Sequence, residues 1–122
     1  MARGAIQEFD QAIQLLPYFA EAYYGRAITY AKLGQYQRAI QDYDEAIQLG
    51  LDDAKAYVNR GFAYSQLGHN QPAIEDFNKA IQLDPGDANA YNNRGIAYRK
   101  LGQDAKADAD KSKACSMDYQ YC

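Results

Sequence analysis

AIQEFDQAIQL, residues 5–15, is a phrase the chain repeats: it returns as AIQDYDEAIQL at 39–49 and as AIEDFNKAIQL at 73–83, each copy 34 residues after the last. Sliding the chain against itself by 34 aligns Ala5, Ala39, Ala73 and Ala107, then Phe9, Tyr43 and Phe77, then Ala12, Ala46, Ala80 and Ala114. A fixed period of roughly 20 to 50 residues is the signature of a stacked repeat array, in which each unit is too small to bury its own apolar face. Within a copy, Ile6, Phe9, Ala12, Ile13 and Leu16 recur at spacings of three and four, which predicts a helix with one apolar stripe, stopped by Pro17.

Working outward, a second helical pattern runs from Ala20, with Tyr23, Ala27, Tyr30 and Leu33 on one face, and stops at Gly34. A third covers about Tyr36 to Leu49. The pair then repeats as 54–67, closed by Gly68, and a helix with Pro72 in its first turn, where the missing N–H costs nothing. Asp84-Pro85-Gly86-Asp87 reads as a turn with Asp87 as N-cap, leading to 88–101 and Gly102. The last helix differs: Asp108 stands at the register of Ile40 and Ile74, and Lys111 at that of Tyr43 and Phe77, the polar outer face expected of a terminal helix. The expectation is all-α, with seven helices in one array: 1–19 a half unit, and 20–53, 54–87 and 88–121 full ones.

Composition bounds the function. The 122 residues are 48% hydrophobic and 24% charged with a net charge of −3, ordinary for one soluble domain with a buried core. A slightly acidic balance argues against a nucleic-acid partner, which needs a basic stripe. No apolar run approaches the ~18 residues of a membrane helix, and Glu8 and Asp10 break up what an export signal would keep apolar. Cys115 and Cys122 have nothing to pair with across the fold and form no disulfide framework, so a reducing, cytoplasmic setting is expected. Cys115 falls at the register of Ile47 and Ile81 and reads as a small core substitute.

The periodic residues resemble the tetratricopeptide repeat family. Tyr23, Ala27, Tyr30; Tyr57, Gly61, Tyr64; and Tyr91, Gly95, Tyr98 match the first helix of its unit. Ala5, Phe9, Ala12, Pro17; Ala39, Tyr43, Ala46; and Ala73, Phe77, Ala80, Pro85 match the second, with Leu51 and Tyr119 where prolines would stand. The regular wording is similar to bacterial members and to consensus-designed arrays. The resemblance implies a right-handed α-solenoid whose first helices line a concave groove for a partner's peptide. Carried over, the groove positions are Tyr24, Ile28, Lys55, Val58, Asn59, Phe62, Asn92, Asn93, Ile96 and Arg99, with Lys100 at the far edge. Asn59 and Asn93 then offer a short amide ladder to a peptide backbone, or are simply filler; both readings stand. Arg99, Lys100 and Lys55 favour an acidic segment. The carboxylate clamp of chaperone-tail binders maps onto Tyr24, Ile28, Asn59, Asn89 and Asn93, of which only Asn59 matches, so that role is not expected.

Little supports catalysis. His69 is a lone loop histidine, the cysteines have no histidine nearby in sequence, and Asp104, Asp108 and Asp110 lack the glycine and distal glutamate of a calcium loop. Arg26, Arg60 and Arg94 keep period with Asp42, Asp76 and Asp110, which favours an ion pair inside each unit over an anion-binding row. The sequence therefore predicts a non-enzymatic interaction scaffold with no cofactor and no metal. A second reading is self-assembly through the first helix, whose stripe Ile6, Phe9, Ile13 and Leu16 has no preceding helix to cover it.

Overall fold

The computed structural model describes residues 2–122. Among them are seven α-helices, one 3-10 turn and no strand, falling into two compact units, residues 1–52 and 53–122.

The first unit holds α1 (Ala2–Leu15), α2 (Ala20–Lys32) and α3 (Tyr36–Gln48). Gly34 ends α2 at φ +77°, and the Gln35 N–H returns to the Tyr30 carbonyl at 2.9 Å, closing the helix and turning the chain into α3. The α2–α3 hairpin buries Ala27, Ala39 and Tyr43, with Tyr24, Ile28 and Tyr30 packed around them. Tyr43 is 1% exposed, its ring 5.9 Å from that of Tyr24. Burial, with a smaller contribution from Tyr24, raises the Tyr43 phenol above its ordinary pKa.

α1 packs on α2. The Phe9 ring lies so close to Gly25 that a Cβ there would collide with it. The stripe is covered in part: Ile6, Phe9 and Ile13 are half-buried and Leu16 is 60% exposed. No residue of α1 is fully buried, whereas Ile40, Tyr43, Ile74 and Phe77 at the same register are buried. The apolar surface left open is at the following turn, where Leu15, Leu16, Tyr18 and Phe19 are all exposed.

The second unit holds α4 (Ala54–Gln66), α5 (Asn70–Leu83), α6 (Ala88–Lys100), α7 (Asp104–Met117) and a 3-10 turn at Tyr119–Tyr121. Asp53 and Asp87 cap α4 and α6, accepting from the N–H groups of Lys55 at 3.0 Å and Ala90 at 3.3 Å. The core is Val58, Ala73, Ile74, Phe77, Ala80, Ala90 and Ala97. Fully buried Phe77 fills the space beside Gly61, where a Cβ would stand 2.8 Å from the ring. On α7, Ala107, Asp110 and Ala114 are buried while Lys111 points to solvent.

Each hairpin carries the expected ion pair. Arg26, Arg60 and Arg94 donate through Nε and Nη2 to both oxygens of Asp42, Asp76 and Asp110, at distances from 2.7 to 2.9 Å. The carboxylates are 5–6% exposed. Each guanidinium also lies over a tyrosine ring, Tyr23, Tyr57 or Tyr91, at 5.3–5.8 Å. Hydrogen bonds to Asp42 and Asp110 raise the pKa of Arg26 and Arg94 against the opposing cost of burial.

The cysteines depart from expectation. Cys115 and Cys122 form a disulfide, and Cys115 is only half-buried. Helix α7 stops at Met117, and the 3-10 turn brings Cys122 back to Cys115. The bond is local, spanning seven residues, so neither cysteine serves as a core substitute.

Two outcomes test this packing. Phe77→Ala is expected to cost ~3–5 kcal/mol in urea unfolding, whereas Lys111→Ala, at the same register but exposed, should change stability by less than ~0.5 kcal/mol. Because Tyr43 holds its proton more tightly folded than unfolded, its contribution is intact below the unfolded tyrosine pKa of ~10 and declines as pH rises above it. The urea midpoint of the native chain should therefore fall more between pH 8 and 10.5 than that of Tyr43→Phe.

Candidate functional site

In the second unit, α4 and α6 each have one face committed to the core and one left over. On α6 the buried face is Ala88, Ala90, Gly95 and Ala97; the other carries Asn89, Asn92, Asn93, Ile96, Arg99 and Lys100. On α4 the buried face includes Ala56, Gly61 and Ala63, while Lys55 and Phe62 are exposed and Asn59 is half-buried. Phe62 and Ile96 occupy equivalent positions and are 42% and 47% exposed, the large apolar side chains that α4 and α6 themselves leave exposed.

Several expected site residues sit differently from the sequence reading. Val58 is 5% exposed inside the core cluster with Ala90 and Ala97, so it belongs to the scaffold and not to a surface floor. Lys55 lines a cavity of about 350 Å³ together with Asp84, Asp87 and Asp118. Three carboxylates around one ammonium make that corner acidic, which corrects the expectation that Lys55 draws an acidic segment. Hydrogen bonding to Gln120 holds Asp118 below the usual carboxylate pKa, so it stays charged there. Tyr24 and Ile28 are half-buried against the core of the first unit.

The amides are partly engaged already. The Asn93 side chain donates to Asn89 Oδ1 at 3.3 Å, one turn back on α6. The Tyr121 hydroxyl donates to the same oxygen at 3.3 Å. Arg99 is held by Asp108 and Asp104, at 2.5 and 3.5 Å, and the hydrogen bond to Asp108 raises its pKa. Much of its charge is thus answered within the chain. His69 is exposed beside the Tyr64 ring, at the N-cap of α5. Among the described residues no three His, Cys, Asp or Glu side chains come together as metal ligands, and no helix is long and apolar enough to cross a membrane.

Two features escaped the sequence reading. Tyr121 reaches Asn89 from 32 residues away because the disulfide returns the C-terminal turn to α7; the seven-residue cysteine spacing was the available signal. Lys111 lines a cavity between α6 and α7, and its signal was the loss of the aromatic found at Tyr43 and Phe77.

Comparisons with known proteins agree with this architecture. A tetratricopeptide repeat model matches residues 20–50 and 54–87, more than half of the chain, and a second matches 77–109. A comparison with curated protein sequences found no match. Among solved structures, a crystal structure of MamA protein is 31% identical at a TM-score of 0.90, covering 96% of this chain and 64% of its own. Another MamA structure is 28% identical at 0.92, covering 95% and 68%. The Arabidopsis OM64 TPR domain is 32% identical at 0.80, covering 83% and 84%. The chain thus spans about two thirds of the MamA chains it resembles. These likenesses fit an all-α solenoid fold and support a protein-interaction scaffold. On the repeated residues, the helix hairpins they build and these matches, the chain belongs to the tetratricopeptide repeat family.

Proposed function

We propose that this chain is a non-catalytic binding module that holds a peptide segment of a protein partner on the α4 and α6 faces opposite the core. The observation that carries this reading is the partition of α6. Alanine and glycine fill its packed face, whereas Asn92, Asn93, Ile96, Arg99 and Lys100 have no place in the core. An apolar side chain about half exposed amid amides is suited to an extended backbone: the amides pair with peptide N–H and C=O groups, and Ile96 and Phe62 shed water on contact. In the first unit, Tyr24 and Ile28 stand at the corresponding positions. The acidic preference rests on Lys100 and Arg99, not on Lys55.

Asn59→Ala with Asn93→Ala should weaken a peptide selected from a displayed library by about tenfold, the loss of two amide hydrogen bonds near 0.7 kcal/mol each. Circular dichroism should show unchanged helicity. Binding that is unaltered in the double variant removes the amides from the site.

Self-association is the second reading, favoured by one observation. Leu15, Leu16, Pro17, Tyr18 and Phe19 line a cavity of about 410 Å³ at the turn between α1 and α2, with Leu15 79% and Tyr18 82% exposed. Light scattering should find a concentration-dependent oligomer that Leu15→Ser with Tyr18→Ser converts to a monomer. A native chain that is monomeric at millimolar concentration eliminates this reading.

A further inference from the structure

The scaffold seats an aromatic ring beside the small residue of the α4–α5 hairpin: Phe77 against Gly61. The α6–α7 hairpin keeps the small residue, Gly95, but has Lys111 at the ring's register. The heavy atoms nearest a Cβ on Gly95 are Asp110 Cβ at 3.1 Å, the Ala107 carbonyl oxygen at 3.2 Å and the Lys111 backbone nitrogen at 3.6 Å; no ring is among them. What remains is a cavity of about 340 Å³ bounded by Asn92, Gly95, Ile96, Arg99, Lys100 and Lys111, with Ala107 at its base. That volume is at the lower end of the range of about 300–1,000 Å³ for pockets that take up an organic group, enough for a single side chain.

Its chemistry is lopsided. Gly95, Ala107 and Ile96 make an apolar floor, three cationic side chains stand around it, and no carboxylate lines it. Arg99 is answered by Asp104 and Asp108, but Lys100 and Lys111 have no ion-pair partner among the described residues. In a chain whose net charge is −3, this is a local concentration of positive charge around an apolar socket.

We propose that this cavity binds one aromatic side chain from an acidic segment of a partner protein. The ring replaces, in trans, the aromatic missing at position 111 and lies against Gly95 as Phe77 lies against Gly61. Carboxylates flanking it in the partner's sequence meet Lys100 and Lys111. The proposal deepens the peptide-binding reading above by naming the anchor and its place, and it rests on that reading for the rest of the segment.

The test uses an acetylated, amidated pentapeptide with a central phenylalanine and two glutamates on each side, titrated into the whole chain by amide chemical-shift mapping. Shifts are expected at Gly95, Ile96, Ala107 and Lys111. The same peptide with central alanine should bind at least about tenfold more weakly. Lys111→Phe, which supplies the ring from the chain itself, should abolish binding while the fold is retained. Lys111→Ala keeps the cavity and should lose about two- to fivefold, the worth of one exposed ion pair.

Absence of shifts on α6 and α7 at millimolar peptide overturns the proposal, as does equal binding of the alanine peptide or unchanged binding to Lys111→Phe. Binding that persists in Lys111→Phe but is lost in Asn59→Ala with Asn93→Ala sinks the socket and leaves the peptide-binding reading standing. Self-association of the native chain that Lys111→Phe abolishes would assign the cavity to a second copy instead, and that too overturns it.

Discussion

Close approach of paired helices over a missing or minimal side chain is the constraint from which the rest follows. At Gly61 the helix backbone comes near enough to Phe77 that even one methyl group would have to displace the ring. A fully buried aromatic removes on the order of 150–250 Å² from water, which makes this contact a large apolar term in a core otherwise built mainly of alanine. Alanines at 73, 80, 90 and 97 extend the same logic: small side chains bring the helices together, and a large ring, Tyr43 or Phe77, fills what they leave in the first two hairpins.

The arginine–carboxylate pair solves a problem this packing creates. Tightly paired helices bring polar residues such as Asp42, Asp76 and Asp110 almost out of solvent, where an unpaired carboxylate would be costly. A bidentate guanidinium satisfies both oxygens in fixed geometry, and the tyrosine beneath each arginine keeps the other side of the fork covered. Buried pairs of this kind add less net stability than their geometry suggests. Their effect is to fix the rotation of one helix against its partner, since only one register brings Nε and Nη2 to both oxygens.

Much of the fold was legible because it was written redundantly. A period of 34 residues, glycines at 34, 68 and 102, and a capping aspartate at 87 gave most helices and their ends to within one or two residues; the matching cap at Asp53 was not read. The ion pairs were legible for the same reason: two residue types that recur together are most simply explained by touching. The site was less legible, because a position carried over from a family says which way a residue faces in the average member and not how covered it is here. Val58 shows this, pressed into the core by the alanines of α6. Lys55 shows the electrostatic version: its sign was readable, but the carboxylates around it come from residues 84, 87 and 118, and only folding collects them. The disulfide was missed because the cysteines were weighed only as partners across the fold, and a local pair seven residues apart was not. It took the break at Met117 to bring Cys122 back.

The departures from the period are where function is most readable. An array whose units were identical would be packed alike at every hairpin and would present the same outer face throughout. Here most packed positions stay alanine or glycine, but α6 trades the buried valine and serine of α4 for Asn92 and Arg99, and α7 trades the buried phenylalanine of α5 for Lys111. Two of the three, Val58 to Asn92 and Phe77 to Lys111, replace an apolar side chain with a polar or cationic one, and Ser65 to Arg99 adds a cation. Asp104 and Asp108 already give α7 a polar outer face, paired with Arg99. Lys111 suits the solvent it meets, yet it leaves the small residue Gly95 with no ring beside it, and the open space there is what the proposed partner ring would fill.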